Sequence, residues 1–178
     1  FRELHKYVKN PRRIIDIGCG FGVPATWLLE IYPDARVFGI EPDVERVLIA
    51  SRVIGSRGRV EAGRAPDLPH VEGEADHVLM LDMLHLISDD EVKIVFQRIY
   101  DKLTADGTLL IRTTIPSDKP NPWKRWIETS RLKMTGMPNR FRSETEIADF
   151  MKQAGFAVQV FASDTRSIEE KWFAGKKY

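Results

Sequence analysis

The nine residues Ile14-Ile15-Asp16-Ile17-Gly18-Cys19-Gly20-Phe21-Gly22 decide the fold. Ile14 to Ile17 is an apolar run broken only by Asp16 and reads as a short buried strand. Glycines follow at alternate positions, and then Ala25, Leu28, Leu29 and Tyr32 recur at helical spacing over 23–32. Strand, glycine loop and helix in that order form a nucleotide-binding turn. Glycine permits the sharp bend and leaves no Cβ to collide with a ligand. The helix that follows offers unpaired backbone N–H groups to whatever lies over the loop.

The spacing narrows the ligand. A dinucleotide fingerprint, Gly-x-Gly-x-x-Gly/Ala, needs its third small residue at position 23. This chain has Val23 there, and its third glycine comes one residue early, at Gly22. No Gly-Lys-Ser/Thr follows, which excludes a phosphate-gripping P-loop. Asp16 is expected to accept hydrogen bonds from loop amides or, through water, from an ammonium group. Taken together, Asp16-Ile17-Gly18-Cys19-Gly20-Phe21-Gly22 resembles the first motif of class I S-adenosylmethionine (SAM) methyltransferases, in their small-molecule branch.

Composition sets the bounds. A chain of 178 residues, 43% hydrophobic and 30% charged, suits one globular domain spanning 1–178. A net charge of +1 gives no global argument for a nucleic-acid or membrane partner. The single cysteine cannot form an internal disulfide, and the metal-ligand spacings are missing, so no metal site is expected. With no signal peptide and no apolar run near membrane length, the expected location is cytoplasmic. The sequence opens at Phe1 and reads as a domain excised from a longer chain.

Strands are expected at 14–17, 36–40, 58–62, 75–81 and 108–115, alternating with helices at 23–32, 44–56 and from Ser88 to Leu103. A further helix end is expected over 2–9, stopped by Asn10-Pro11. Such alternation predicts an α/β fold with a parallel, doubly wound sheet. Asp106-Gly107 marks the turn into the fifth strand, and Ser143 with Glu146 forms a capping box for a last helix that Gly155 ends. The two final strands, 156–161 and 171–176, are joined by a short loop and favour a hairpin. That agrees with the resemblance, which implies a mainly parallel seven-stranded sheet whose last strand is antiparallel and inserted beside the fifth. Residues 116–142 carry Trp123, Trp126, Met134, Met137 and an excess of basic side chains, and read as a lid or insertion.

The resemblance also implies roles. Asp16, Gly18, Cys19, Gly20 and Gly22 would hold SAM, with Cys19 a small loop residue and not a nucleophile. Glu41, at the end of the second strand and followed by Pro42, would bind both ribose hydroxyls, because a carboxylate offers two acceptors to a diol's two donors. Many members carry an acid after the third strand that contacts the adenine amino group; here Gly63-Arg64-Ala65 stands instead, and arginine cannot accept a hydrogen bond. Adenine recognition would then fall to backbone near Arg64 and Ala65, or to Asp67.

After the fourth strand, Leu81 would meet the methionine part of SAM, and Asp82 would face the sulfonium or the substrate. His85 is the candidate general base, with capping or packing as the alternative; His5, His70 and His77 read as structural or surface residues. The implied activity is methyl transfer from SAM to a small or carrier-bound acceptor. Lys119, Lys124, Arg125, Arg131, Lys133, Arg140 and Arg142 suggest an anionic acceptor group, with a solvated helix face as the alternative. Two other readings stand beside it: a non-catalytic methyltransferase-like domain of a larger protein, and an NAD(P)-dependent oxidoreductase, which Gly22 and Val23 disfavour.

Overall fold

A computed structural model describes residues 4–115, 140–162 and 170–177. In chain order the elements are α1 (Leu4–Tyr7), β1 (Arg13–Ile17), α2 (Val23–Ile31), β2 (Arg36–Glu41), α3 (Val44–Ile54), β3 (Gly58–Ala62), β4 (Ala75–Leu81), α4 (Asp89–Lys102), β5 (Leu103–Thr114), α5 (Glu144–Gln153), β6 (Ala157–Ala162) and β7 (Glu170–Lys176). Short 3-10 turns cover Gly55–Arg57 and Leu84–Leu86.

The seven strands run in the order β3-β2-β1-β4-β5-β7-β6. Pairings from β3 to β5 are parallel, and β7 lies antiparallel between β5 and β6. The expected sheet and its inserted antiparallel strand are therefore present. Alternation along β1 sends Ile14 to one face and Ile15 and Ile17 to the other. Ile14 packs with Ala25, Leu28, Leu29, Ala50 and Ile54 of α2 and α3. Ile15 and Ile17 pack with Val92, Val95, Phe96 and Ile99 of α4 and with Ile147 and Met151 of α5. With both faces covered, β1 and β4 read as near-continuous apolar runs.

Strand order reverses at β1, whose neighbours β2 and β4 lead away in opposite directions. The crevice at the C-terminal ends of these strands is where open α/β sheets bind ligands. The sequence motifs all lie at this edge.

Two expectations need correction. β5 begins at Leu103 and not at 108, so Leu103 is a strand residue rather than the last apolar position of α4. Ala75 pairs with Leu103 and His77 with Thr108, so Asp106 and Gly107 bulge within the strand instead of leading into it. The expected lid over 116–142 lies outside the described residues up to position 139.

Gly39 in β2 sits where a Cβ would come within 2.8 Å of the Cys19 sulfur. Cys19 is buried, and that contact lets the loop after β1 settle onto β2. Gly39→Ala should therefore destabilise the domain by about 1–3 kcal/mol. Most of the loss should disappear when Cys19→Ala is added, as read from denaturant midpoints of the two single variants and the double.

Candidate active site at the carboxyl edge of the sheet

The glycine loop is fastened to β2. The amides of Gly18 and Cys19 both donate to the Ile40 carbonyl, at 2.8 and 3.2 Å, and the amide of Gly20 donates to Glu41 Oε2 at 3.0 Å. Gly18, Gly20 and Gly22 have φ of 72°, 55° and 76°, a left-handed backbone that side chains rarely adopt. A Cβ on Gly18 would press on Met83, and one on Gly22 on Ala50, but one on Gly20 would meet nothing within 4 Å. The first and third glycines serve packing, while the second faces open space at the mouth of the crevice.

Glu41 is nearly sealed, at 4% exposure. Besides Gly20, it accepts from the Asp43 amide at 3.2 Å, and Arg46 stands 3.8 Å from its Oε1. Each carboxylate oxygen carries two lone-pair sites, so capacity remains for a diol. Pro42 is exposed beside it, and Asp43 caps α3 by accepting from the amides of Glu45 and Arg46.

Of the two partners expected for Asp16, loop amides or an ammonium group reached through water, the structure rules out the first. The loop amides go to Ile40 and Glu41, and Asp16 Oδ2 is buried with no partner. Burial, and then the charge of Glu41, push its carboxyl up to about 7. Cys19 Sγ is likewise pushed up to about 12, chiefly by burial, so it is a packing group and not a nucleophile.

Across the crevice, Asp82 follows β4 with φ 56°. Its carboxylate is held by Arg112 of β5, with Nε donating to Oδ1 at 3.1 Å and Nη2 pairing with Oδ2, and its amide donates to the Arg112 carbonyl at 2.9 Å. The Arg112 guanidinium lies 5.6 Å from the Trp172 ring centre. Asp82 thus anchors a strained turn through an arginine that no motif marked; only its position opposite the end of β4 could have signalled it.

His85 lies half-buried in the 3-10 turn, its ring stacked on Phe141 at 5.6 Å. Burial lowers its pKa below 6.5; Asp82 opposes that shift and Arg142 reinforces it. The net shift favours the uncharged imidazole, the form a general base requires. His77, by contrast, is buried at the far end of β4 and contacts the Lys9 carbonyl, a structural place.

Arg64 turns outward from where the adenine-contacting acid was sought. It pairs with Glu91 of α4, and its Nε donates to the Ala65 carbonyl at 3.3 Å. Asp67, the other option, is bound by Arg98 at 2.7 Å. Arg142, counted among the anion-binding cations, is instead 5% exposed and fully engaged by protein. Lys119, Lys124, Arg125, Arg131 and Lys133 lie outside the described residues. A cleft of about 620 Å³ lies at the opposite edge of the sheet, beside Arg12, Arg13 and Arg36, and contains none of the motif residues.

An orphaned buried carboxylate oxygen, a glycine cradle open to solvent and an acid with spare acceptor capacity fit a cationic nucleoside such as SAM. Comparison with known proteins agrees. The methyltransferase domain family matches residues 14–107, more than half of the chain. The chain belongs to this family of SAM-dependent methyltransferase domains, in which the methyl donor is S-adenosylmethionine. It is 24% identical to anthranilate N-methyltransferase of Ruta graveolens over 86% of this chain and 42% of that protein. It is 25% identical to a malonyl-acyl-carrier-protein O-methyltransferase of Legionella pneumophila over 93% of this chain and 58% of that protein. Human N-acetylserotonin methyltransferase, solved in complex with SAM, shares the fold with a TM-score of 0.74 at 18% identity, covering 99% of this chain and 51% of that one. The chain thus spans about half the length of the curated relatives it matches.

The buried Asp16 makes a stability prediction. With a carboxyl near 7 in the fold and near 3.9 unfolded, the native state keeps a proton that the unfolded chain loses between about pH 4 and 7. Burying Asp16 therefore lowers stability progressively across that window, by a total on the order of 4 kcal/mol. Asp16→Asn should gain stability relative to the parent as pH rises from 4 to 7, with a constant difference above it. Paired thermal melts at pH 4.5, 6 and 8 check this.

Proposed function

We propose that this domain transfers a methyl group from S-adenosylmethionine to a small or carrier-bound organic acceptor. The observation that carries the proposal is the meeting, at one sheet edge, of the glycine loop, the buried Glu41 at the end of β2 and the half-buried His85 after β4.

When bound, SAM supplies a methyl group already activated on a sulfonium. The chain's own task is largely one of holding. Glu41 would accept from the ribose diol while its bond to Gly20 keeps the loop seated. Asp16, with an unpaired oxygen beneath the loop, would offer an acceptor and, once it loses its proton above about pH 7, a negative charge to a cationic ligand. The edges of Pro42, Ala65 and Leu81 would bound the cofactor, and Arg64, tied to Glu91, would close its rim without contacting adenine as an acceptor. Orientation of this kind can lower a barrier by roughly 7–11 kcal/mol. Where the acceptor must lose a proton, an imidazole nitrogen of His85 takes it, and Asp82 keeps the turn in place through Arg112.

The basic composition of 116–139 favours an acceptor or carrier with an anionic group, and the relatives named for anthranilate and for malonyl-acyl-carrier protein have acceptors of that kind. The low cysteine content favours a cytoplasmic setting. No helix among the described residues is long and apolar enough to cross a membrane. The one observation favouring a binding domain without turnover is Arg64 in place of the adenine acid.

Two variants test the reading. Glu41→Ala should weaken binding of S-adenosylhomocysteine at least tenfold, since each charge-assisted bond contributes about 1.5–3 kcal/mol; unchanged affinity would remove Glu41 from the site. In a radiolabelled methyl-transfer assay over carboxylic acids, phenols, anilines and acyl carriers, His85→Gln should lower kcat roughly 10²–10⁴-fold with cofactor affinity retained. Cofactor binding with no transfer to any acceptor would favour the non-catalytic alternative.

A further inference from the structure

Besides the Asp82–Arg112 pair, the turn that carries His85 is held by the segment just ahead of α5. Arg142 uses every donor it has. Its Nε and Nη2 donate to Asp89 Oδ1 at 2.9 and 2.7 Å, and Nη1 donates to the carbonyls of Leu84 at 2.8 Å and Arg140 at 3.4 Å. The remaining Nη2 hydrogen reaches the Ile87 carbonyl at 2.7 Å. An arginine has five N–H groups in a rigid fork, and these bonds account for all of them. Two of the bonded carbonyls, Leu84 and Ile87, bracket His85. The carbonyl of His85 itself accepts from the Arg140 amide at 2.9 Å, and Phe141 lies against the ring.

Three successive residues thus grip one turn through its backbone, its ring and its electrostatic surroundings. A helix cap alone does not call for this. Ser143 and Glu146 already close a capping box at the start of α5, and Ser88 and Glu91 close another at the start of α4. A guanidinium buried to 5% exposure is costly unless its partners are fixed. Here the partners are the Asp89 carboxylate, the Arg140 carbonyl and two backbone carbonyls of the His85 turn.

We infer that Arg142 is the positioning residue for His85: it fixes the turn's backbone, so that the imidazole is aimed by Arg142 and Phe141, and it keeps a permanent cation beside the ring. This rests on His85 being the base of the proposed methyl transfer, and Arg142 itself touches neither cofactor nor acceptor. Among the described residues, the charged groups that act on His85 are Asp82, from the end of β4, and Arg142; Asp89 of α4 is bound to Arg142.

The test needs no acceptor. The His85 ring is titrated by NMR, with its signal assigned through His85→Gln, in the parent domain and in Arg142→Gln and Arg142→Lys. Exchange of the Leu86 and Arg140 amides, which close the turn onto Met83 and His85, is measured alongside. Arg142→Gln should move the His85 midpoint upward and speed both amides at least about tenfold, with S-adenosylhomocysteine affinity held within about twofold. Arg142→Lys keeps the charge but cannot span the carbonyls, so the amides should speed up while the midpoint moves less.

A folded Arg142→Gln with a lower melting temperature but unchanged His85 titration and exchange would overturn the inference and make Arg142 a purely structural arginine. Should that variant fail to fold, Asp89→Asn loosens the same anchor from the exposed side of α4. Faster exchange at Leu86 and Arg140 in that variant supports the inference, and unchanged exchange contradicts it. Failure of the parent to bind S-adenosylhomocysteine would count against the methyltransferase reading alone, because the titration and exchange are measured without cofactor.

Discussion

Three amides of the glycine loop donate to two consecutive residues of β2, Ile40 and Glu41, and the rest of the site is arranged around that attachment. Left-handed glycines are needed because the chain must reverse from β1 and present successive N–H groups to the neighbouring strand. With the loop so seated, the end of β2 delivers Glu41 and the start of α2 faces the crevice. Each bond is worth only about 1 kcal/mol net, but together they choose one loop conformation. Gly39 is part of the same constraint, since its missing Cβ lets Cys19 lie flat on β2.

Charge is used unevenly across the site. On the β1–β2 side, two carboxylates are buried close together without an arginine bonded to Asp16, which raises its pKa and leaves it short of a partner. On the β4–β5 side, each loop is held by an arginine: Arg112 takes Asp82, Arg142 takes the His85 turn, and Arg64 joins the loop after β3 to α4. The half that would bind a cation is electron-rich and unsatisfied, and the half that would carry the acceptor chemistry is rigidly tied. That asymmetry suits a cationic donor on one side and a neutral base on the other.

Much of this was legible in the sequence because it depends on local rules. Hydrophobic runs, glycine spacing, the Ser88 N-cap and the Ser143–Glu146 capping box located β1 to β4, α2 to α5 and the glycine loop, and the short link between the last strands indicated the antiparallel pair. What was missed depends on long-range partners. Asp106-Gly107 looked like a turn before a strand, but pairing of Leu103 with Ala75 draws the preceding residues into β5. Arg112 and Arg142 carry no motif, because an arginine on a strand or before a helix reads as a surface charge until the fold supplies Asp82 and the carbonyls of Leu84 and Ile87. Asp16 stood out as a candidate site residue, while its lack of amide partners could not be seen without the register of β1 on β2.

The measurement that bears most directly on this account is calorimetric titration of the purified domain with S-adenosylhomocysteine, run in parallel with NAD. A crevice built from the glycine loop, Asp16 and Glu41 predicts a Kd in the micromolar range for the former and no detectable heat from the latter. Binding of NAD, or of neither ligand, would contradict it.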